Sequence, residues 1–102
     1  YVSDVVDGIC GALKFDISNN HRIYNLGNHS PVELMKFIVI LEQEIGKSAI
    51  INFKPMQMGD VLETYADIKE TTNDLGYKPK VSIEEGIQKL VAWHTEFSSN
   101  HP

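Results

Sequence analysis

At the head of three apolar helical patterns in this chain of 102 residues, a Ser or Asp is followed three positions later by Glu. The pairs are Ser30 with Glu33, Asp67 with Glu70 and Ser82 with Glu85. This spacing lets the first side chain accept from a free amide of the first turn while the glutamate reaches back to the amide of the first residue. Three such starts in so short a chain predict a mostly helical layout. In the second segment Pro31 adds the residue favoured at a first helical position. Leu34, Phe37, Ile38, Leu41 and Ile45 then recur at helical spacing, and Gly46 stands where a helix-ending glycine belongs.

A first helix is expected over about Asp4 to Leu13, with Asp4 as its cap, Asp7 adding charge that the dipole favours, and Val5, Val6, Ile9, Cys10 and Leu13 on its core face. A third should start at Asp67, line one side with Ile68, Thr71, Thr72 and Leu75, and end at Gly76. A fourth should open at Ser82 and carry Ile83, Ile87, Leu90, Val91 and His94 as its stripe, with a frayed tail from Ser98 to Pro102. Between them, Asp16 to Asn20 reads as a loop and Leu26 to His29 as a turn. His21 to Asn25, Ala49 to Phe53 and Glu63 to Ala66 read as short strands or extended pieces.

The formal net charge of -5, with nine basic residues scattered along the chain, argues against nucleic acid as a partner. No stretch nears the roughly 20 apolar residues needed to span a bilayer, so no membrane partner is expected, and no signal-peptide pattern is read. The single Cys10 allows no internal disulfide and points to a reducing, cytoplasmic setting. Tyr1 leads almost at once into a helical pattern, which suggests a piece of a longer polypeptide.

Catalytic signatures are sparse. Gly8 and Gly11 give only G-x-x-G inside a helical pattern, which close helix packing explains, and no Gly-rich phosphate cradle is present. The four histidines, His21, His29, His94 and His101, share no metal-ligand spacing, so no metal site is expected. His94 reads as a half-buried helix residue and Cys10 as inert on a core face. Tyr65 and Lys69 have Y-x-x-x-K spacing, but Asp67 should cap a helix between them and leave Tyr65 outside it, so this match is read as coincidence. The polar loop from Pro55 to Val61 remains. In it Gln57 can donate and accept, Gly59 allows a sharp turn, and Asp60 can accept from sugar hydroxyls; the plainer alternative is a solvated turn with Asp60 bonded to its own backbone.

The order of short motifs carries more than any one of them. Tyr1-Val2-Ser3-Asp4-Val5-Val6-Asp7-Gly8, Tyr24-Asn25-Leu26-Gly27-Asn28, Pro31-Val32-Glu33-Leu34-Met35, Gln57-Met58-Gly59-Asp60-Val61, Thr64-Tyr65-Ala66-Asp67 and Leu75-Gly76-Tyr77-Lys78-Pro79 follow in sequence. Together with Ile83 to Ile87 they resemble the C-terminal part of the NAD-dependent epimerase/dehydratase family of extended short-chain dehydrogenases, closest to the UDP-glucuronate 4-epimerases. The resemblance implies an α/β fold, mostly helical with short strands, acting as a single C-terminal substrate-binding subdomain over residues 1–102. The Rossmann portion that binds NAD and supplies the catalytic Ser/Thr and Y-x-x-x-K residues would lie outside this chain, which alone would not be catalytic.

In many such relatives the loop reads R-x-G-D, with arginine on the diphosphate and aspartate on the ribose. Here Asp60 matches, and Gln57 cannot offer the charged fork; glutamine also occurs there in glucuronate-type members. The implied substrate-binding residues are therefore Gln57 and Asp60. The implied parent reaction is oxidation of the UDP-sugar at C4 by bound NAD, rotation of the keto sugar and return of hydride to its other face. Alternatives are a UDP-N-acetylhexosamine epimerase, a nucleotide-sugar dehydratase, or a standalone helical interaction module. A surface left bare by the missing Rossmann portion could make the piece self-associate.

Overall fold

A computed structural model describes residues 1–15, 21–61 and 63–100, with the side chain of residue 100 excepted. Four helices follow in chain order: α1 (Val2–Lys14), α2 (Leu34–Ile45), α3 (Lys69–Leu75) and α4 (Ile83–Asn100). The chain forms two interleaved units. One comprises Tyr1–Pro31 and Thr64–Val81, with α1 and α3; the other comprises Val32–Glu63 and Ser82–Pro102, with α2 and α4. Among the described residues no helix is long and apolar enough to cross a membrane.

The first unit is held by polar groups as much as by apolar ones. Its buried residues include Ile68, Tyr77, Thr71 and Asp4. The Asp4 carboxylate accepts from the backbone amides of Lys80 and Val81, each at 3.1 Å. Asp4 therefore sits inside the first turn, with Tyr1 in the capping position, and does not cap the helix as expected. Asp7 pairs with the Lys80 ammonium at 2.7 Å, and that bond, ahead of its charge, raises the Lys80 pKa. Gly8 and Gly11 do serve close packing: a Cβ on Gly8 would run into Leu26, and one on Gly11 would lie 3.2 Å from the Leu75 carbonyl.

The face of α1 expected in the core is turned outward. Val5, Val6, Ile9 and Leu13 are exposed, as is Cys10, because the unit seats the opposite face of Asp4, Gly8 and Gly11. Small side chains admit a close neighbour, and the Asp4 carboxylate is required at the two amides; a valine face could provide neither.

No strand forms among the described residues, so the short strands expected at His21–Asn25 and Ala49–Phe53 are not borne out, and residues 63–66 form none either. A strand requires a ladder partner, and residues 21–28 find a single backbone bond of that kind, from Ala66. Side chains bond this tract's backbone instead: Thr71 Oγ1 donates to the Asn25 carbonyl at 2.8 Å and the Tyr77 hydroxyl to Gly27 at 3.2 Å. Asp74 receives both the Arg22 guanidinium at 2.7 Å and the Tyr24 hydroxyl at 2.8 Å. Desolvation first, then Asp74, pushes the Tyr24 phenol pKa up. That single backbone bond runs from Ala66 N–H to the Asn28 carbonyl at 3.0 Å.

In the second unit α2 packs on α4, with Ile40 and Ile87 buried. Lys36 reaches Glu84 across the pair at 2.9 Å, and that hydrogen bond is the main cause of a lowered Glu84 pKa. The expected stripe of α2 omits Ile40, its most buried residue, and includes Leu34, which is exposed. Ala49 donates its amide to Glu42 at 2.6 Å, so the tract after α2 is tied back to the helix rather than to a strand. His94 is exposed rather than half-buried.

The helix starts differ from the three capping boxes. α2 begins at Leu34 with Glu33 in the capping position and no side-chain cap bond. Ser30 lies upstream, where its amide is taken by Asn28 Oδ1 at 2.9 Å, a local turn that competes with the cap. Asp67 accepts from Lys69 N–H, two residues on, in place of a box with Glu70. At α4 half of the box forms: Ser82 Oγ accepts from Glu85 N–H at 3.2 Å, while the Glu85 carboxylate goes to Lys89 at 2.7 Å. Both expected glycine ends hold, with φ of 73° at Gly46 and 66° at Gly76. α4 runs on through Asn100 where fraying was expected. The loop expected over Asp16 to Asn20, and His101, lie outside the described residues.

Candidate functional site

The polar loop after α2 folds as a tight turn. The Asp60 amide donates to the Gln57 carbonyl at 3.2 Å, closing four residues on themselves. Gly59, third of the four, has φ of 99°, and a turn of this kind requires a positive φ at that position. Gln57 and Asp60 are thus brought to the two ends of one turn, both exposed. The backbone amide of Asp60, not its carboxylate, makes the closing bond. Neither the Gln57 nor the Asp60 side chain has a hydrogen-bond partner among the described residues, so the carboxylate is not spent on its own backbone. Met56, Met58 and Val61 beside them are exposed as well.

Chemically, the turn offers an anionic acceptor, a neutral amide that donates and accepts, and apolar side chains between them. That suits a hydroxyl-rich ligand carrying flatter apolar faces. Among the described residues of the turn the polar side chains are a carboxylate and a neutral amide, groups of the kind that hold and orient a ligand.

The near-match to a catalytic motif is separated as the sequence implies. Tyr65 lies in the irregular tract before α3, 64% exposed, while Lys69 is the first residue of that helix. The two side chains do not rise from one helical face. They do share the rim of an open concavity of about 670 Å³ in the first unit, with His29, Asp67, Lys78 and Pro79. Sequence reasoning missed this concavity because His29 is remote from the others along the chain. A second, apolar groove of about 640 Å³ runs between α2 and residues 47–54, lined by Ile38, Leu41, Ile45, Ile51 and Phe53 among others. Among the described residues no group of His, Cys, Asp and Glu could hold a metal ion.

No protein-family model matches the chain. A protein of Methanocaldococcus jannaschii described as uncharacterized is 52% identical over 96 residues, 94% of this chain and 29% of that protein. A probable UDP-glucuronate 4-epimerase of Rhizobium meliloti is 44% identical over 77 residues, covering 74% of this chain and 22% of the relative. The crystal structure of UDP-glucuronic acid 4-epimerase from Bacillus cereus, in complex with UDP-glucuronic acid and NAD, superposes with a TM-score of 0.82 at 28% identity. That match covers 95% of this chain and 31% of the other. The chain therefore spans about a third or less of the length of the proteins it matches.

Proposed function

We propose, from the premise that this chain corresponds to the C-terminal portion of UDP-glucuronate 4-epimerases, that it is the part of such an enzyme that cradles the UDP-sugar. Its match over 95% of its length to an epimerase crystallised with UDP-glucuronic acid and NAD carries this reading. In this reading residues 1–102 act as one C-terminal substrate-binding subdomain in the cytoplasm. Asp60 accepts from hydroxyls of the nucleotide ribose, and Gln57 orients a polar group of the sugar nucleotide without supplying charge. The parent reaction is C4 epimerisation of UDP-glucuronate to UDP-galacturonate.

The described residues contain no Gly-rich cradle that would fit a dinucleotide, so NAD, which supplies the hydride chemistry, is held by polypeptide beyond this chain. What these residues contribute is position, and small errors of position are costly when a sugar carbon must face a hydride acceptor. The test is Asp60→Ala in the longer polypeptide, assayed on UDP-glucuronate with saturating NAD. A lost ribose bond raises KM about tenfold with kcat little changed. Unchanged kinetics would reduce Asp60 to a turn residue and remove the loop from the site.

A further inference from the structure

The concavity of the first unit has an imbalance of hydrogen-bonding groups that the fold itself does not use. Its floor is apolar, with Ile68 and Tyr77 buried and Pro79 half-buried. Around that floor the backbone acceptors are engaged. The Asp67 carbonyl accepts from Asn25 Nδ2 at 3.1 Å, that of Ile68 from Thr72 N–H at 2.8 Å, and that of Tyr77 from Thr72 Oγ1 at 2.9 Å. One Asp67 carboxylate oxygen takes the Lys69 amide at 3.1 Å.

The donors are differently placed. The ammonium groups of Lys69 and Lys78 and the ring of His29 have no ion-pair or hydrogen-bond partner among the described residues. Elsewhere Arg22, Lys36, Lys80 and Lys89 each hold a carboxylate, and the chain as a whole carries more acidic than basic groups. On α3, Lys69 and Thr72 lie on the side away from Thr71, the residue that this helix buries. The concavity therefore opens outward from the core of its unit, and at about 670 Å³ it falls within the roughly 300–1,000 Å³ of small-molecule clefts.

We propose that this concavity binds a phosphate monoester carried on a flat ring, an aryl or nucleoside phosphate. A wall with engaged acceptors and open cationic donors matches a ligand rich in acceptors and negative charge. A phosphate monoester brings three acceptor oxygens and a charge of about −1.5 to −2 at pH 7, which two ammonium groups and an imidazole can hold. Tyr65, 64% exposed on the rim, and Pro79 below offer the ring an apolar surface. The proposal does not rest on the epimerase reading, and none of these residues belongs to the Gln57–Asp60 turn.

Phenyl phosphate is titrated into the 102-residue chain, followed by amide NMR shifts, and into the longer polypeptide by calorimetry with UDP-glucuronate saturating. The expected result is saturable shifts at residues 65–69, 77 and 78, with the same dissociation constant in both proteins. Inorganic phosphate and phenol, each half of the probe, should bind about tenfold more weakly. Lys69→Gln with Lys78→Gln should weaken phenyl phosphate about tenfold, while Lys47→Gln with Lys54→Gln, an equal change of net charge, leaves it unchanged. Both members of the first pair are exposed, and amide shifts matching the parent outside the concavity show that the variant is folded. Absence of binding, shifts centred elsewhere, or equal losses in the two variant pairs overturn the proposal. Benzoate binding as tightly as phenyl phosphate overturns the assignment to phosphate. Competition by UDP-glucuronate overturns it as well, since the concavity would then belong to the cradle of that sugar nucleotide.

Discussion

Replacing Asp4 by alanine should do more damage than any surface charge change in this chain. Asp4 is 4% exposed, and its carboxylate accepts two backbone amides, those of Lys80 and Val81, both at 3.1 Å. A hydrogen bond to a charged group contributes about 1.5–3 kcal/mol. The Lys80 amide lies at an exposed residue where water can replace the carboxylate, so one full bond and part of a second are lost. The expected cost is about 3 kcal/mol, a large share of the total stability of a domain this size. With a urea dependence of about 2 kcal/mol per molar, the unfolding midpoint should fall by roughly 1.5 M. Asp4→Asn keeps an acceptor but loses the charge, and should lose about half as much. Asp7→Ala removes only the exposed ion pair with Lys80 and should barely move the midpoint. Circular dichroism at 222 nm follows the transition, because α1 and α4 dominate the signal. If Asp4→Ala unfolds within about 0.3 M of the parent chain, solvent satisfies both amides and the clamp has no energetic role.

Other changes separate packing from conformation. Gly8→Val should destabilise by about 1–3 kcal/mol, since its side chain meets Leu26 and Tyr77, and the same urea titration reads it. Gly46→Ala and Gly76→Ala should each cost about 1 kcal/mol with no steric clash, because nothing lies near either glycine and only the left-handed backbone is penalised. Burial first, and the Asp4 charge second, raise the Tyr77 phenol pKa in the folded chain. The phenol is protonated in both folded and unfolded states below the unfolded value near 10, so its contribution is fully present there. It is lost as pH rises through that value toward the higher folded one. Absorbance near 295 nm should show Tyr77 titrating later than free tyrosine, and Tyr77→Phe should flatten the alkaline loss of stability.

The parts of this structure legible in sequence are those fixed by local chemistry. The presence of α2 and α4 and the glycines that end α2 and α3 depend only on neighbouring residues, and they hold, while the buried stripes hold only in part, with Leu34, Ile45, Leu90 and His94 exposed. The turn at Gln57 to Asp60 was legible for the same reason, since Gly59 in a polar tetrapeptide has few other uses. The burial of α1 was not legible, because periodicity identifies an apolar face but not what stands opposite it. Asp4 reads as a cap because Asp before an apolar run does cap helices; its actual partners lie at residues 80 and 81, and no local rule reaches that far. The strand pattern of His21–Asn25 is real as a pattern, yet a strand exists only with a neighbour, and within its unit this tract meets α3. In the candidate site, Gln57 and Asp60 stand at the two ends of one turn, while the concavity around His29 and Tyr65 required knowing which distant segments meet.

The central claim is that these residues form the sugar-nucleotide side of an epimerase whose cofactor lies on polypeptide beyond them. The most direct measurement is to incubate the longer polypeptide with UDP-glucuronate and NAD and follow the sugar anomeric and C4 proton signals by NMR. The account predicts appearance of UDP-galacturonate to an equilibrium mixture, with no net NADH, and no conversion by the 102-residue chain alone. Binding of neither ligand, with UDP-glucuronate unchanged, would contradict it.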